Sequence, residues 1–155
     1  MNTERLTIRK TTEEDVGLIF DFIKGLATYE KRPQDVTGSI ETLGYWLFEK
    51  KAATAVIAEY GDDAVGYAIY YPVFGSFSAI ANAHLEDLFI KPEYRRKGLG
   101  KEFFSELSKT LKSEGYSKIE WSCLDWNTPS IEFYNRIGAK QESGRVYFEY
   151  ELNER

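Results

Sequence analysis

The stretch Arg95-Arg96-Lys97-Gly98-Leu99-Gly100 lies between an extended segment, Leu85–Ile90, and a helix-like segment, Lys101–Glu114, and its reading decides the fold. Two glycines let a backbone approach a ligand and take up positive φ without a Cβ clash. The first turn of the following helix offers unpaired N–H groups and a partial positive charge, so a strand, a glycine turn and a helix in this order make a cradle for a pyrophosphate. Three adjacent cations add to its charge. Two familiar nucleotide loops are excluded by spacing. A G-x-x-x-x-G-K-[ST] loop fails because Gly100-Lys101 is followed by Glu102 and Arg95 stands five residues before Gly100. A G-x-G-x-x-G turn fails because Phe103 occupies its third glycine position.

Composition bounds the remainder. With 155 residues, 43% hydrophobic and 29% charged, the chain suits a single domain, residues 1–155, with a full-sized core. It has no apolar run of membrane-spanning length, and Met1-Asn2-Thr3-Glu4-Arg5 has no signal-like apolar centre, which points to the cytoplasm and away from a membrane. The net charge of −5 argues against a nucleic-acid partner and favours cationic substrates. One cysteine, Cys123, and one histidine, His84, leave no intrachain disulfide and no Cys/His cluster of zinc spacing, so no metal is expected.

Periodicity places the elements. Leu6–Lys10 alternates as a strand, and Thr12-Glu13-Glu14-Asp15 resembles a helix cap ahead of Val16, Ile19, Phe20, Ile23 and Leu26. A second helical stretch, Ser39–Glu49, is expected to turn Ile40, Leu43, Trp46 and Leu47 inward. Ala53–Tyr60 and Ala64–Val73 flank Gly61-Asp62-Asp63 as a hairpin, and Gly75–Ala79 is a loop before a strand at Ala81–Ile90. Leu99, Phe103, Leu107 and Leu111 form one helical stripe, closed by Gly115. Strand Lys118–Leu124, helix Pro129–Arg136 and a final strand Val146–Leu152 complete a mixed α/β order.

R-x-x-G-x-G after a strand resembles the acetyl-CoA-binding motif of the GCN5-related N-acetyltransferase (GNAT) superfamily. From about Arg5 to Leu152 the chain is similar to the spermidine/spermine acetyltransferase branch and its thialysine-acetylating relatives. The resemblance is carried by Ile23-Lys24-Gly25-Leu26-Ala27-Thr28-Tyr29-Glu30-Lys31, Val65-Gly66-Tyr67-Ala68-Ile69-Tyr70-Tyr71, Leu85-Glu86-Asp87-Leu88-Phe89-Ile90 and Trp126-Asn127-Thr128-Pro129-Ser130-Ile131-Glu132-Phe133-Tyr134 with Gly138-Ala139. It implies a GNAT fold, a mixed sheet of about seven strands splayed between the fourth and fifth and flanked by about four helices. It also implies acetyl transfer from acetyl-CoA to the primary amine of a small cation, and a homodimer paired through C-terminal strands.

The implied chemistry can be weighed. An alkylammonium with pKa near 10.4 is about 0.04% neutral at pH 7, so freeing its lone pair costs roughly 4.6 kcal/mol. Glu86 matches the family carboxylate that acts through water as general base, although a strand-end acid can equally be solvated or ion-paired. Tyr134 matches the tyrosine that protonates the departing CoA thiolate; otherwise it is one of eleven tyrosines packing at a core edge. Cofactor contacts implied by the resemblance fall on Leu88, Phe89, Ile90, Arg95, Arg96, Lys97, Gly98, Leu99, Gly100, Lys101, Asn127, Pro129, Ser130 and Tyr134. Asn127 can also cap its helix. Tyr29, Glu30, Glu86 and Asp87 match positions that contact the amine. Asp87 should face away from Glu86 unless the strand is bulged. His84 alternates onto the Glu86 face, where it could relay a proton or be merely packed, and Cys123 reads as a buried, inert thiol. Ser76-Phe77-Ser78 departs from the Asp-Pro-Trp of the polyamine enzymes, which removes one anionic anchor and favours shorter diamines or lysine analogues. A protein lysine or N-terminal acetyltransferase and a non-catalytic acyl-CoA-binding module are the alternatives.

Overall fold

A hairpin and its neighbours build the sheet in chain order. In the computed structural model, which describes residues 4–152 apart from the Arg96 side chain, strands β1 (Leu6–Lys10), β2 (Thr54–Tyr60), β3 (Asp63–Gly75) and β4 (Ile80–Ile90) pair consecutively and antiparallel. A short strand β5 (Ile119–Glu120) adds in parallel to β4, so the sheet is mixed. Helix α1 (Val16–Tyr29), helix α2 (Ile40–Gly44, continued by a wide turn over Tyr45–Glu49), helix α3 (Leu99–Ser113) and helix α4 (Thr128–Arg136) are the α-helices among the described residues. The chain divides into two compact units, Met1–Ser122 and Cys123–Arg155.

In the first unit the sheet buries both faces. On one face Leu6, Val56, Ala68, Leu85 and Ile90 meet the α3 stripe Leu99, Phe103, Leu107 and Leu111, as the helical spacing predicts. On the other, Ile57, Tyr67, Ile69 and Phe89 meet Ile19 and Phe22 of α1 and Leu47. Polar bonds tie the helices to the sheet. Glu102 in the first turn of α3 accepts the Leu6 N–H at 3.0 Å, and Glu114 at the other end accepts both Lys10 Nζ at 2.8 Å and the Tyr70 hydroxyl at 2.9 Å. Asp15 accepts the Thr12 N–H at 2.9 Å and a two-pronged contact from Arg9 at 3.0 Å, which anchors the start of α1 to β1.

Several expectations are corrected. In α1, Phe22 is buried and Phe20 is half-buried beneath Lys24, because the inward stripe steps by three residues from Ile19 and not by four from Val16. In the second helical stretch Ile40 and Trp46 are exposed while Leu47 is buried. The Lys50 N–H reaches back five residues to the Tyr45 carbonyl, and this wider turn breaks the 3.6-residue phase on which the prediction rests. The strand expected over Lys118–Leu124 is confined to Ile119–Glu120. No strand forms over Val146–Leu152, whose apolar side chains are exposed, so the described residues hold a five-stranded sheet and not seven strands. An alternating pattern assigns side chains to two faces, but a strand exists only where a partner backbone completes its ladder.

Gly66 shows how tightly β3 and β4 approach. A Cβ at this position would lie 2.1 Å from the Phe89 carbonyl oxygen, a backbone atom that cannot rotate aside. Gly66→Ala is therefore expected to lower stability by about 1–3 kcal/mol, the usual penalty for overpacking. Denaturant unfolding checks this, and an unchanged midpoint would show that the strands separate freely there.

Candidate active site

The β3–β4 register contains one irregularity, and it falls on the acids. Ile69 pairs with Asp87 and the next residue, Tyr70, pairs with Leu85, so Glu86 has no partner on β3 and forms a bulge. Alternation reverses across it. Ala83 and Leu85 lie in the α3-side core, yet Phe89, an even number of residues further on, lies in the α1-side core, and Ile90 is back among the α3 contacts. Asp87 follows Phe89 onto the α1 side, where the buried Tyr67 hydroxyl donates to it at 2.8 Å. The bulge condition for Asp87 is thus met.

Glu86 belongs to a small cluster on this side. The Tyr71 hydroxyl donates to Glu86 Oε1 at 3.2 Å, and His84 Nε2 stands 3.7 Å from the same oxygen. The His84 ring lies against Tyr71, with centroids 4.9 Å apart, and its Nδ1 stands 3.7 Å from Glu120 on β5. His84 therefore does share a face with Glu86. The carboxylates act on one another. Burial lifts the Asp87 pKa to about 6, the charges of Glu86 and Glu30 add to the rise, and the Tyr67 hydrogen bond opposes it. Burial also raises the pKa of Glu30, against the attraction of Arg32. Tyr67 and Tyr71 are both raised, first by burial and then by the neighbouring acids.

The open edge of β4 comes next. The β4–β5 ladder stops at His84–Glu120. Lys91 N–H donates to Val65 O on the β3 side, so by alternation Leu88 and Ile90 turn their backbone groups to the opposite edge. One of these groups is taken: Ile90 O accepts Arg95 Nε at 2.8 Å. The buried Phe89 ring faces α1.

The chain then passes through a 3-10 turn, Pro92–Lys97, to Gly98, whose φ of 72° is left-handed and which carries no side chain to cap the helix it begins. The space where its Cβ would stand is open. Leu99 is buried in the core, so the cradle offers the backbone of Leu99, Gly100 and Lys101 and not the leucine side chain. Lys97 Nζ lies over the Tyr94 ring at 5.3 Å, and Lys101 is exposed. Arg96 was expected to contact the cofactor, and its side chain lies outside the described atoms.

In the second unit, Asn127 is buried and its side chain accepts the Ser130 N–H at 3.3 Å, so the capping role holds. Pro129 stands in the first turn of α4, and Tyr134, half-buried, packs its ring beside Phe133 with centroids 5.7 Å apart. Cys123 is exposed and not buried as expected, because β5 ends at Glu120 and alternation no longer governs the residues that follow. No group of three or more His, Cys, Asp or Glu side chains among the described residues is arranged to hold a metal ion, and no helix among them is long and apolar enough to cross a membrane.

Comparison with known proteins agrees with this geometry. The model of the acetyltransferase (GNAT) family matches residues 21–139, and the chain belongs to that family; it is an N-acetyltransferase. It is 32% identical over 142 residues to a thialysine N-epsilon-acetyltransferase of Sus scrofa, covering 86% of this chain and 83% of the relative. A thialysine N-epsilon-acetyltransferase of Caenorhabditis elegans is 29% identical, with 88% and 82% covered. An aminoglycoside acetyltransferase from an uncultured soil metagenomic sample, solved with sisomicin, superposes with a TM-score of 0.77 at 18% identity, over 96% of this chain and 97% of that one, which supports the fold.

Tyr67 and Tyr71 complete the acidic cluster, and sequence reasoning did not single them out as site residues. Their four-residue spacing on one strand was a usable signal for a shared face, but the acids they meet depend on the β4 bulge. The Asp87 carboxyl yields a pH prediction. The folded chain holds its proton up to about pH 6, whereas the unfolded group releases it near 3.8, so between these values the folded state binds more protons and stability falls as pH rises. Asp87→Asn lacks this loss while keeping an oxygen for Tyr67. Relative to the parent, the variant should gain on the order of 3 kcal/mol between pH 4 and pH 7. Chemical denaturation at both pH values checks this, and an equal offset at each would refute it.

Proposed function

We propose that this chain transfers the acetyl group of acetyl-CoA to a primary amine of a small cation, a short diamine or a lysine analogue such as thialysine, by direct attack in a ternary complex. The observation that carries the reading is the bulge that turns Glu86 and Asp87 to one face, within the electrostatic reach of Glu30 and beside an open strand edge that leads into the glycine cradle. An alkylammonium suits that acidic face. The first turn of α3, with Gly98, Gly100 and Lys101 together with Lys97, suits the pyrophosphate. The backbone of Leu88 and the Ile90 N–H suit the pantetheine arm, which would extend the sheet as a strand does. Phe89 supports that edge from behind.

In this scheme Glu86, through water, takes the proton of the bound ammonium. The freed amine attacks the thioester carbonyl and forms the C–N bond, the C–S bond breaks, the Tyr134 hydroxyl gives its proton to the departing thiolate, and the nitrogen's surplus proton passes through water to restore the Tyr134 hydroxyl. Glu30, Asp87 and Tyr29 hold the cationic tail. Asn127, Pro129 and Ser130 set the start of the helix that carries Tyr134. The thialysine relatives support the substrate class, and the Gly75–Ala79 loop, which contains no acid, favours an amine shorter than spermine. The family match spans both compact units, which supports one catalytic domain. A cytoplasmic homodimer fits the same reading, and the exposed Val146, Tyr147, Phe148, Tyr150 and Leu152 support self-association.

The test is CoA release from acetyl-CoA with putrescine, spermidine, thialysine, lysine and a lysine peptide, the products confirmed by mass. Small-amine acetylation is expected, and Tyr134→Phe should lower kcat by roughly ten- to a thousandfold with acetyl-CoA affinity nearly unchanged. Silence on every small amine, with acetyl-CoA still bound, would favour a protein substrate or a binding-only module. Unchanged turnover in the phenylalanine variant would remove Tyr134 from the mechanism.

A further inference from the structure

The first arginine of the cradle motif is engaged inside the chain. The Arg95 guanidinium carbon stands 4.2 Å from the centre of the Tyr29 ring and 5.2 Å from that of Phe89, while Nε donates to Ile90 O at 2.8 Å. These partners belong to separate structures. Tyr29 is the last residue of α1, directly before Glu30; Phe89 and Ile90 end β4. Phe89 also meets α1 directly, since a Cβ on Gly25 would lie only 3.2 Å from its ring tip, so the helix already rides close on that aromatic.

We infer that Arg95 is a positioning residue, a clamp that holds the amine-side segment Tyr29–Glu30 against the β4 edge that receives the acyl donor, and that it is not a ligand of the pyrophosphate. A guanidinium suits this role because it is planar: it can stack on rings and still direct Nε–H in its own plane to a carbonyl, which the point charge of a lysine cannot do. Removing the clamp frees Ile90 O and releases the end of α1, so Glu30 and the donor edge lose their mutual register. A misplacement of about 1 Å between two reacting partners can cost on the order of a hundredfold in rate.

The inference rests on the acetyl-transfer reading, and two donors separate them. Acetyl-CoA carries the pyrophosphate and S-acetylpantetheine does not. Arg95→Lys, which keeps the charge, and Arg95→Gln should each lower kcat/KM by roughly ten- to a hundredfold with acetyl-CoA and, within about threefold, by the same factor with S-acetylpantetheine. A loss confined to acetyl-CoA, or rescue by lysine, would identify a phosphate ligand and overturn the clamp, as would no loss with either donor. A second readout needs no turnover. In thermal unfolding, Arg95→Gln combined with Tyr29→Leu should cost clearly less than the sum of the single variants, because both break one contact. Strict additivity would overturn the clamp even if the parent proved inactive on every amine, the result that would instead defeat the functional reading.

Discussion

Between Ile69 and Tyr70 the β3–β4 ladder passes over Glu86, and the site depends on that one extra residue. A regular strand would carry Asp87 to the α3 side with Leu85, among Phe103 and Leu107, where a carboxylate would lose its hydration without a hydrogen-bonding partner. It would also turn Phe89 away from Phe22 and Tyr67. With the bulge in place, both apolar layers close and the acids emerge together on the side of α1. The demand of two hydrophobic faces for opposite phases along one strand is thus what gathers the charge.

Two further close approaches transmit this geometry along the chain. Gly66 lets β3 come against the Phe89 carbonyl, and β5 pairs with β4 over only two residues, so the far end of β4 is held firmly on one edge and left open on the other. Past that end the backbone turns through Gly98 into α3, whose apolar stripe is locked into the core and whose first-turn acid, Glu102, is bonded to β1. The acid cluster, the open edge and the cradle therefore follow one another along a single continuous piece of chain. Their spacing is set by strand and helix geometry more than by loop conformation.

Much of the first unit was legible from its sequence because its signals are local. The hairpin around Gly61-Asp62-Asp63, the strands β1 to β4 and the stripe of three leucines and Phe103 on α3 each depend on short-range periodicity, and each matches the structure. The errors share a different cause. Phe20 and Phe22 both fit a helical stripe, and only the position of the sheet selects between them. Ile40 and Trp46 were misplaced by a wide turn that no residue in the segment announces. The aromatic alternation of residues 146–152 and the expected burial of Cys123 both assumed partner strands, which local pattern cannot supply.

By itself the sequence determined the order of β1 to β4 and of the helices, and the glycine turn with its flanking strand and helix, since these follow from residue type and spacing, while attention came to Glu30, Glu86 and Asp87 through the resemblance to the GNAT family. Tertiary structure alone decided that Glu86 is the bulged residue, that Tyr67 and Tyr71 join the cluster, and that Arg95 spends its side chain on Tyr29, Phe89 and Ile90. The physical reason is that a bulge, a cation over a ring or a hydrogen bond between strands is a relation between distant segments. Its energy exists only once the two cores have closed around it.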